Sequence, residues 1–253
     1  MTVLDFYKKL CLLYPGELSC PWDNDGLMCS GNTEKKVRRV LVALDATDDA
    51  IDYAAENGFD TVLTHHPMIF KGVKSVADIT VMGDEIITCI KNGISVISLH
   101  TRLDAGEGGV NDCLCEALQL RDVYPFGDEE SDNLGRIGTT DEVAAEEFAE
   151  KVKAALGVKA VNLYKGGKAS KVAVVGGSGK DFVFPALAMG ADTIVLGECS
   201  YNVALDAAAE GMNVIEAGHY FTEFPVCNKL ASLARDIAGA EAEIYPAKRF
   251  MQI

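Results

Sequence analysis

Short apolar runs rich in Val, Ile and Leu alternate with Ala-rich segments along most of this 253-residue chain. Such runs are typical of buried strands, and the segments between them have the spacing of amphipathic helices. Because neighbouring parallel strands need a crossover connection, the alternation favours an α/β fold with mixed, largely parallel sheets covered by helices. The predicted strands are residues 37–44, 61–64, 95–99, 171–175, 193–196 and 213–216, and the predicted helices include residues 46–57, 180–189 and 203–210.

The two halves of the chain resemble each other. Residues 42–66 align without a gap on residues 174–198, so that strand falls on strand and helix on helix. Each half then continues into a further strand and a matched polar motif, His100-x-x-x-Asp104 in the first and His219-x-x-x-Glu223 in the second. Any two βαβ units share part of this pattern, so a generic α/β likeness stands as the alternative to duplication.

The likeness between the halves predicts two similar α/β lobes. We place the first lobe at residues 1–127 and the second at residues 134–253, and the last strand of the chain could return to the first lobe. The segment 124–133 is polar and rich in turn-forming residues, as expected of a hinge between lobes.

Composition narrows the class of protein. A net charge of −15 disfavours non-specific nucleic-acid binding, which needs clustered Lys and Arg. No segment approaches the roughly 20 uninterrupted apolar residues of a membrane span, and the N-terminus reads as an amphipathic helix rather than a signal peptide. Eight scattered cysteines without a C-x-x-C pair indicate free thiols in a reducing compartment. We therefore expect a soluble, cytoplasmic protein.

All four histidines of the chain follow predicted strands: His65 and His66 directly, and His100 and His219 at the ends of later strands. In open α/β sheets, ligands bind beyond the carboxyl ends of the strands. Pro67 forces an extended or turning backbone at His66, so both imidazoles of the His-His pair could face one cavity. Taken alone, such a pair is as often two surface histidines without a function as it is a metal site.

Two carboxylates accompany the histidines. Asp104 lies in a glycine-rich turn, and the helix predicted at residues 113–119 would have Asn111 or Asp112 as its N-cap. Glu223 is expected in the first turn of a helix over residues 222–236. The alternatives are structural, because Asp104 could stabilise its own turn and Glu223 could interact with the helix dipole.

Together, these imidazoles and carboxylates form a nitrogen and oxygen ligand set. Such a set suits Zn, Mn, Fe, Co or Ni better than Ca, and the absence of neighbouring thiolates argues against a closed structural zinc site. Five protein ligands do not saturate two ions, so water would complete their coordination. We predict two divalent metal ions bound by His65, His66, Asp104, His219 and Glu223, with Glu223 as the bridging carboxylate.

Four sequence motifs carry a resemblance to a known family. The motifs are PWDNDGL, THHP, HTRLDAGEGGVND and GHYFTE, in this order along the chain. They resemble the GTP cyclohydrolase I type 2 homologue family, also called the Nif-three-like dinuclear-metal proteins, from about residue 4 to residue 250. The resemblance implies two α/β lobes with the metal ions in the cleft between them, and a homohexamer.

The resemblance also implies a distribution of ligands. His65 and His219 would bind mainly one ion, and His66 and Asp104 the other. The chain departs from the family at Asn202, near a position where many members carry a histidine, which puts any role of that histidine in doubt here.

Two further residues have open roles. His100 could act as a general base or support a metal ligand, and it could equally be a hydrogen-bonded core histidine. Residues 22–25 could line the entrance of the site, or form an N-terminal turn packed by a buried Trp22.

These features favour a metal-dependent hydrolase that acts on a nucleotide-like or phosphorylated small molecule. The family name implies the ring opening of GTP, a label that need not extend to every member. The alternative functions are a non-enzymatic metal-binding scaffold or metal-handling protein, and a regulatory module that recruits a protein partner.

Overall fold

The computed structural model describes residues 1–127, 133–246 and 250–252. It divides into two compact units. The first unit combines Met1–Leu103 with Cys227–Met251, and the second comprises Asp104–Val226. The chain therefore passes between units at Leu103, earlier than the lobe boundary predicted from the sequence. The hinge expected at residues 124–133 falls partly on residues 128–132, which lie outside the described residues.

The first unit is built on a five-stranded mixed sheet of order β1-β4-β3-β2-β11. Three neighbouring pairs are parallel, and β1 runs antiparallel to β4. Its elements are α1 (Val3–Leu13), β1 (Gly26–Cys29), β2 (Arg39–Ala43), α2 (Asp48–Glu56), β3 (Thr61–Thr64), α3 (Val81–Asn92), β4 (Ser95–Ser98), α10 (Val226–Ala238) and β11 (Glu241–Ile244). Helix α10 belongs to this unit from Cys227 onwards.

Local sequence signals fix the helices of the first unit. Thr2 and Asp5 form a reciprocal capping box at the start of α1, and the hydroxyl of Thr47 accepts a hydrogen bond from a backbone amide of α2. Helix α3 ends at Gly93, whose φ of 64° is the left-handed conformation that favours glycine. Apolar side chains of α2 and α3 pack with those of β2, β3 and β4 in one core cluster.

The second unit is built on a six-stranded mixed sheet of order β5-β6-β8-β9-β10-β7. Only β8-β9 and β9-β10 are parallel, so the prediction of largely parallel sheets is wrong for this unit. Its elements are α5 (Val110–Leu118), β5 (Arg121–Phe126), β6 (Gly135–Ala144), α6 (Ala145–Leu156), β7 (Asn162–Tyr164), β8 (Lys168–Ser178), α7 (Val183–Ala188), β9 (Thr193–Glu198), α8 (Tyr201–Ala209), β10 (Asn213–Glu216) and α9 (His219–Glu223). The short helix α4 (Thr101–Ala105) carries the chain from the first unit into the second.

Helix α5 begins earlier than the sequence predicts. It starts at Val110 after Gly109, so neither Asn111 nor Asp112 is its N-cap. The buried side chain of Asn111 instead donates a hydrogen bond to the carbonyl of Leu134 and accepts one from an amide of β8. Tertiary hydrogen bonds, rather than helix capping, therefore explain why an asparagine occupies this position.

One local arrangement occurs in both units. The carboxylate of Asp60, just before β3, accepts hydrogen bonds from the backbone amides of residues 38 and 39 at 3.0 and 3.3 Å. The carboxylate of Asp192, just before β9, accepts hydrogen bonds from the amides of residues 170 and 171 at 3.0 and 2.9 Å. In each unit an aspartate therefore fixes the chain where two parallel strands begin.

The strand registers also show how the polar motifs of the two units correspond. The first residue of β3 pairs with Ser95, and the first residue of β9 pairs with Asn213. Counted from these positions, His100 corresponds to Gly218 and lies one residue out of step with His219. In this register the two His-x-x-x-carboxylate motifs are offset by one residue.

No helix among the described residues is both long and apolar enough to cross a bilayer. None of the eight cysteines forms a disulfide with another described residue.

Candidate metal centre

Three imidazoles lie together in the first unit at the ends of β3 and β4. One ring nitrogen of each of His65, His66 and His100 lies within 4.8 Å of the corresponding nitrogens of the other two. His65 is fully buried, and the other two rings are partly exposed. This spacing allows the three nitrogens to approach a common ion, because imidazole nitrogen is a frequent ligand of transition metals.

Hydrogen bonds fix the tautomers of these rings. Nδ1 of His65 lies 3.0 Å from the carbonyl oxygen of Leu99. A carbonyl oxygen only accepts, so Nδ1 must carry the proton and Nε2 of the neutral ring must carry the lone pair. Nδ1 of His66 lies 2.8 Å from Asp45, and Nδ1 of His100 lies 2.7 Å from Asp23. Partners of this kind orient metal-binding histidines and raise their basicity.

The PWDNDGL motif holds His100 in place. Asp23 also accepts hydrogen bonds from the backbone amide and the hydroxyl of Thr101, at 3.1 and 2.6 Å. Burial opposes the ionisation of Asp23, but the hydrogen bonds from His100 and Thr101 outweigh it and lower the pKa of this carboxyl to about 2. Asp25 accepts a hydrogen bond from the His100 amide and pairs with buried Arg102. The two aspartates therefore position the start of α4.

The second unit carries the other three predicted ligands. His219 and Glu223 begin and end α9, so their side chains lie one turn apart on the same face. Nε2 of His219 lies 3.2 Å from Oε2 of the buried Glu223, and Nδ1 lies 3.6 Å from the exposed carboxylate of Glu198. Asp104 is also buried, in α4.

Glycine at position 177 makes room for the His219–Glu223 pair. Its φ is +68°, and a Cβ atom there would lie 2.2 Å from Oε1 of Glu223 and 3.0 Å from Nε2 of His219. A Cβ atom at Gly197 would lie 2.8 Å from Cα of His219. Gly177 in β8 and Gly197 in β9 thus permit the close approach of these strands to the two side chains.

The placement of Glu223 differs from the sequence prediction. The predicted helix over residues 222–236 is two helices, and Glu223 is the last residue of α9 rather than in the first turn of α10. Phe224 keeps a right-handed helical conformation, with φ −53° and ψ −31°, and Pro225, which has no amide hydrogen to donate, lies between the two helices. Asn202 is exposed near the start of α8.

Sequence reasoning missed Asp45 and did not assign Asp23 as the partner of a histidine. Asp45 follows β2 by two residues, and a carboxylate at a strand end beside another strand-end ligand is the signal that indicates it. Asp23 belongs to a recognised motif, but its partner His100 lies 77 residues away.

Comparisons with known proteins agree over nearly the whole chain. The sequence model of the family described as Duf34/NIF3 (NGG1p interacting factor 3) matches residues 1–248. A Clostridium perfringens protein named GTP cyclohydrolase 1 type 2 homolog is 35% identical over 98% of this chain and 97% of its own length. A protein of the same name from Streptococcus pneumoniae serotype 4 is 30% identical over 97% of this chain and 95% of its own length.

Solved structures share the fold. The crystal structure of Staphylococcus aureus hypothetical protein SA1388 has a TM-score of 0.91 and 27% identity, and the match covers 100% of this chain and 99% of that one. Reduced HcgD from Methanocaldococcus jannaschii has a TM-score of 0.85 and 26% identity, with 98% of both chains covered.

Proposed function

The chain belongs to the Duf34/NIF3 family, and on that premise we propose that it is a hydrolase dependent on two divalent metal ions. The ions would be drawn from Zn, Mn, Fe, Co and Ni, and the substrate would be a nucleotide-like or phosphorylated small molecule. The names of the relatives suggest GTP cyclohydrolase-type chemistry as one candidate reaction. The proposed ligands are His65, His66, Asp104, His219 and Glu223.

The fixed tautomers at the end of β3 carry this proposal. Both His65 and His66 have Nδ1 beside a hydrogen-bond acceptor, which directs the basic Nε2 to the place where a metal ion would bind. Two surface histidines without a function would not need both rings to be oriented in this way. The donor set therefore fits borderline divalent ions, and the lack of any thiolate among the proposed ligands fits an open site rather than a closed structural one.

The donors of the second unit supply the negative charge that two cations need. Burial of the Glu223 carboxylate is unfavourable unless a cation or hydrogen-bond donors balance it. A carboxylate has two oxygens, so Glu223 is our candidate for the bridging ligand. The proposal requires that the donors of both units bind the same pair of ions, in a site between two lobes related by duplication. We also carry over the homohexamer that the family resemblance implies.

Divalent ions, when bound, lower the pKa of water and stabilise negative charge that develops on a substrate. The protein's own contribution is to orient the imidazoles through hydrogen bonds at Nδ1. His100 is not among the proposed ligands, and Asp23 keeps the proton of its ring on Nδ1. Nε2 of His100 is therefore placed to accept a hydrogen bond or a proton from the substrate or from water.

The test combines metal analysis with an activity screen of the purified protein. After reconstitution with each candidate metal, we expect two ions per chain and turnover of GTP or another nucleotide. Glu223→Gln should lose at least one ion and reduce turnover at least 100-fold, whereas Glu210→Gln, an exposed glutamate at the end of α8, should change neither.

Two outcomes separate the alternatives. Wild-type protein that holds two ions but turns over no substrate would favour the metal-handling scaffold over the hydrolase. Wild-type protein that binds no transition metal after reconstitution would contradict both. The mass of the particle, measured by light scattering, tests the homohexamer separately.

A further inference from the structure

Trp22 is the only tryptophan of the chain, and 55% of its surface is exposed. Phe70, also 45% exposed, lies beside it, with His100 as the third ring. The three ring centroids are each 6.2 Å apart, with interplanar angles of 69°, 74° and 89°. We call this group the aromatic corner, because the plane of each ring is steeply inclined to the planes of the other two.

Hydrogen bonds hold the aromatic corner together. The side-chain amide of Asn24 donates to the carbonyl of Ile69, which ties the Trp22 turn to the Phe70 loop. Asp23, next to Trp22, holds the ring of His100. Aromatic surface that is both exposed and fixed loses little conformational entropy when a ligand covers it, which is typical of a preorganised binding site.

The aromatic corner adjoins the candidate metal ligands. His100 belongs both to this group and to the three-imidazole group with His65 and His66. The ring centroid of His100 lies 5.3 Å from that of His65 and 5.6 Å from that of His66. A flat ring stacked in the corner would therefore lie directly beside the metal-binding nitrogens.

We infer that Trp22, Phe70 and His100 form a stacking site for a flat heteroaromatic ring of the substrate, such as a nucleobase. The inference names the substrate class of the proposed hydrolase and in that sense rests on it, but binding in the corner needs no turnover. Stacking of a base on a protein aromatic ring strengthens binding by roughly 5- to 150-fold for each ring, the equivalent of about 1–3 kcal/mol.

The emission of Trp22 reports directly on this site. We expect guanosine and GTP to change the Trp22 fluorescence of the full-length protein saturably, both after chelator treatment and after metal loading. Glycerol phosphate, which has no ring, should leave the emission unchanged. Titration of free N-acetyltryptophanamide corrects for absorbance of light by the base.

Phe70→Ala tests the corner while keeping the reporter. This variant should weaken nucleoside binding by at least 5-fold. Phe184→Ala is the matched control, because Phe184 is a phenylalanine of α7 with similar exposure, 40%, in the second unit. Its affinity should equal that of the wild type.

Calorimetry tests Trp22 itself. Trp22→Ala should weaken guanosine binding at least 5-fold, whereas Trp22→Phe, which keeps a ring, should stay within about 3-fold of wild type. Circular dichroism establishes that both variants are folded. Tyr201→Ala, at a tyrosine that is 70% exposed in α8, serves as the control for loss of an exposed ring.

The stacking site and the hydrolase can fail separately. Saturable quenching without hydrolysis under any metal would leave the stacking site standing and overturn the hydrolase. Hydrolysis of a substrate that lacks an aromatic ring, with Trp22 emission unresponsive to guanosine, GTP and adenosine, would overturn the stacking site. Equal affinity of Phe70→Ala, Trp22→Ala and wild type would overturn it as well.

Discussion

The first unit offers imidazoles oriented by hydrogen bonds, whereas the second offers one imidazole beside the buried carboxylate of Glu223. In the first unit, His65 and His66 follow a strand and are oriented by acceptors on other segments. In the second unit, His219 and Glu223 are one turn of helix apart and are accommodated by Gly177. The first arrangement depends on hydrogen bonds, and the second depends on close backbone packing. The two units should therefore respond differently to substitution.

The largest effect is expected at Gly177. An alanine there must adopt a positive φ and place its Cβ atom against Glu223, so Gly177→Ala should lower the free energy of unfolding by about 3–4 kcal/mol. Gly157→Ala is the matched control, because Gly157 has a φ of +64° and a Cβ atom added there would meet open space within 4 Å. The control should lose only about 1 kcal/mol. Urea unfolding curves measure both, and equal losses would contradict the packing argument.

Asp60 and Asp192 occupy equivalent places in the two units, so their substitution compares the energetic contribution of each. Removing the carboxylate of Asp60 or of Asp192 leaves two backbone amides without their acceptor. Asp60→Ala and Asp192→Ala should each lower the free energy of unfolding by about 2 kcal/mol. Thermal unfolding of the two variants gives the comparison. A loss of stability in one variant and none in the other would show that the two aspartates do not contribute equally.

A smaller, pH-dependent effect is expected at Asp23 in the first unit. Its pKa of about 2 lies below the ordinary aspartate value of 3.8, so its ionised form stabilises the fold above pH 4, and this contribution disappears as the pH falls towards 2. Asp23→Asn should therefore lower stability by about 1–2 kcal/mol at pH 6, a figure reduced for solvent screening, and by much less at pH 2.5.

Urea unfolding at the two pH values measures this effect. The exposed Asp52 provides the control, since Asp52→Asn should change stability little at either pH. A gap between wild type and Asp23→Asn that does not narrow in acid would contradict the interpretation.

Sequence patterns predicted most strands with a parallel neighbour well and the strands with only antiparallel neighbours poorly. The bounds of β3 and β10 agree with prediction, because buried parallel strands are continuous apolar runs. Strand β6 was not predicted, since it contains the polar run Gly138–Asp141 and pairs antiparallel on both sides. The second sheet is consequently less parallel than the sequence indicates.

The histidines that form the first-unit cluster could be chosen from the sequence, but their pairing with the aspartates that support them could not. Asp45 lies 21 residues from His66, and Asp23 lies 77 residues from His100. Spacing along the chain carries no information about such partners, because the fold alone brings them together. The role of Gly177 was hidden for the same reason, since the side chains that it accommodates, His219 and Glu223, lie far along the chain.

The first unit is discontinuous, which bears on the order in which the protein is made. Its edge strand β11 pairs with β2 but is synthesised after every strand of the second sheet. A chain emerging from the ribosome can therefore complete the second sheet while the first still lacks a strand. Translation that stopped short of β11 would leave β2 as an open sheet edge, a surface prone to pairing with other chains.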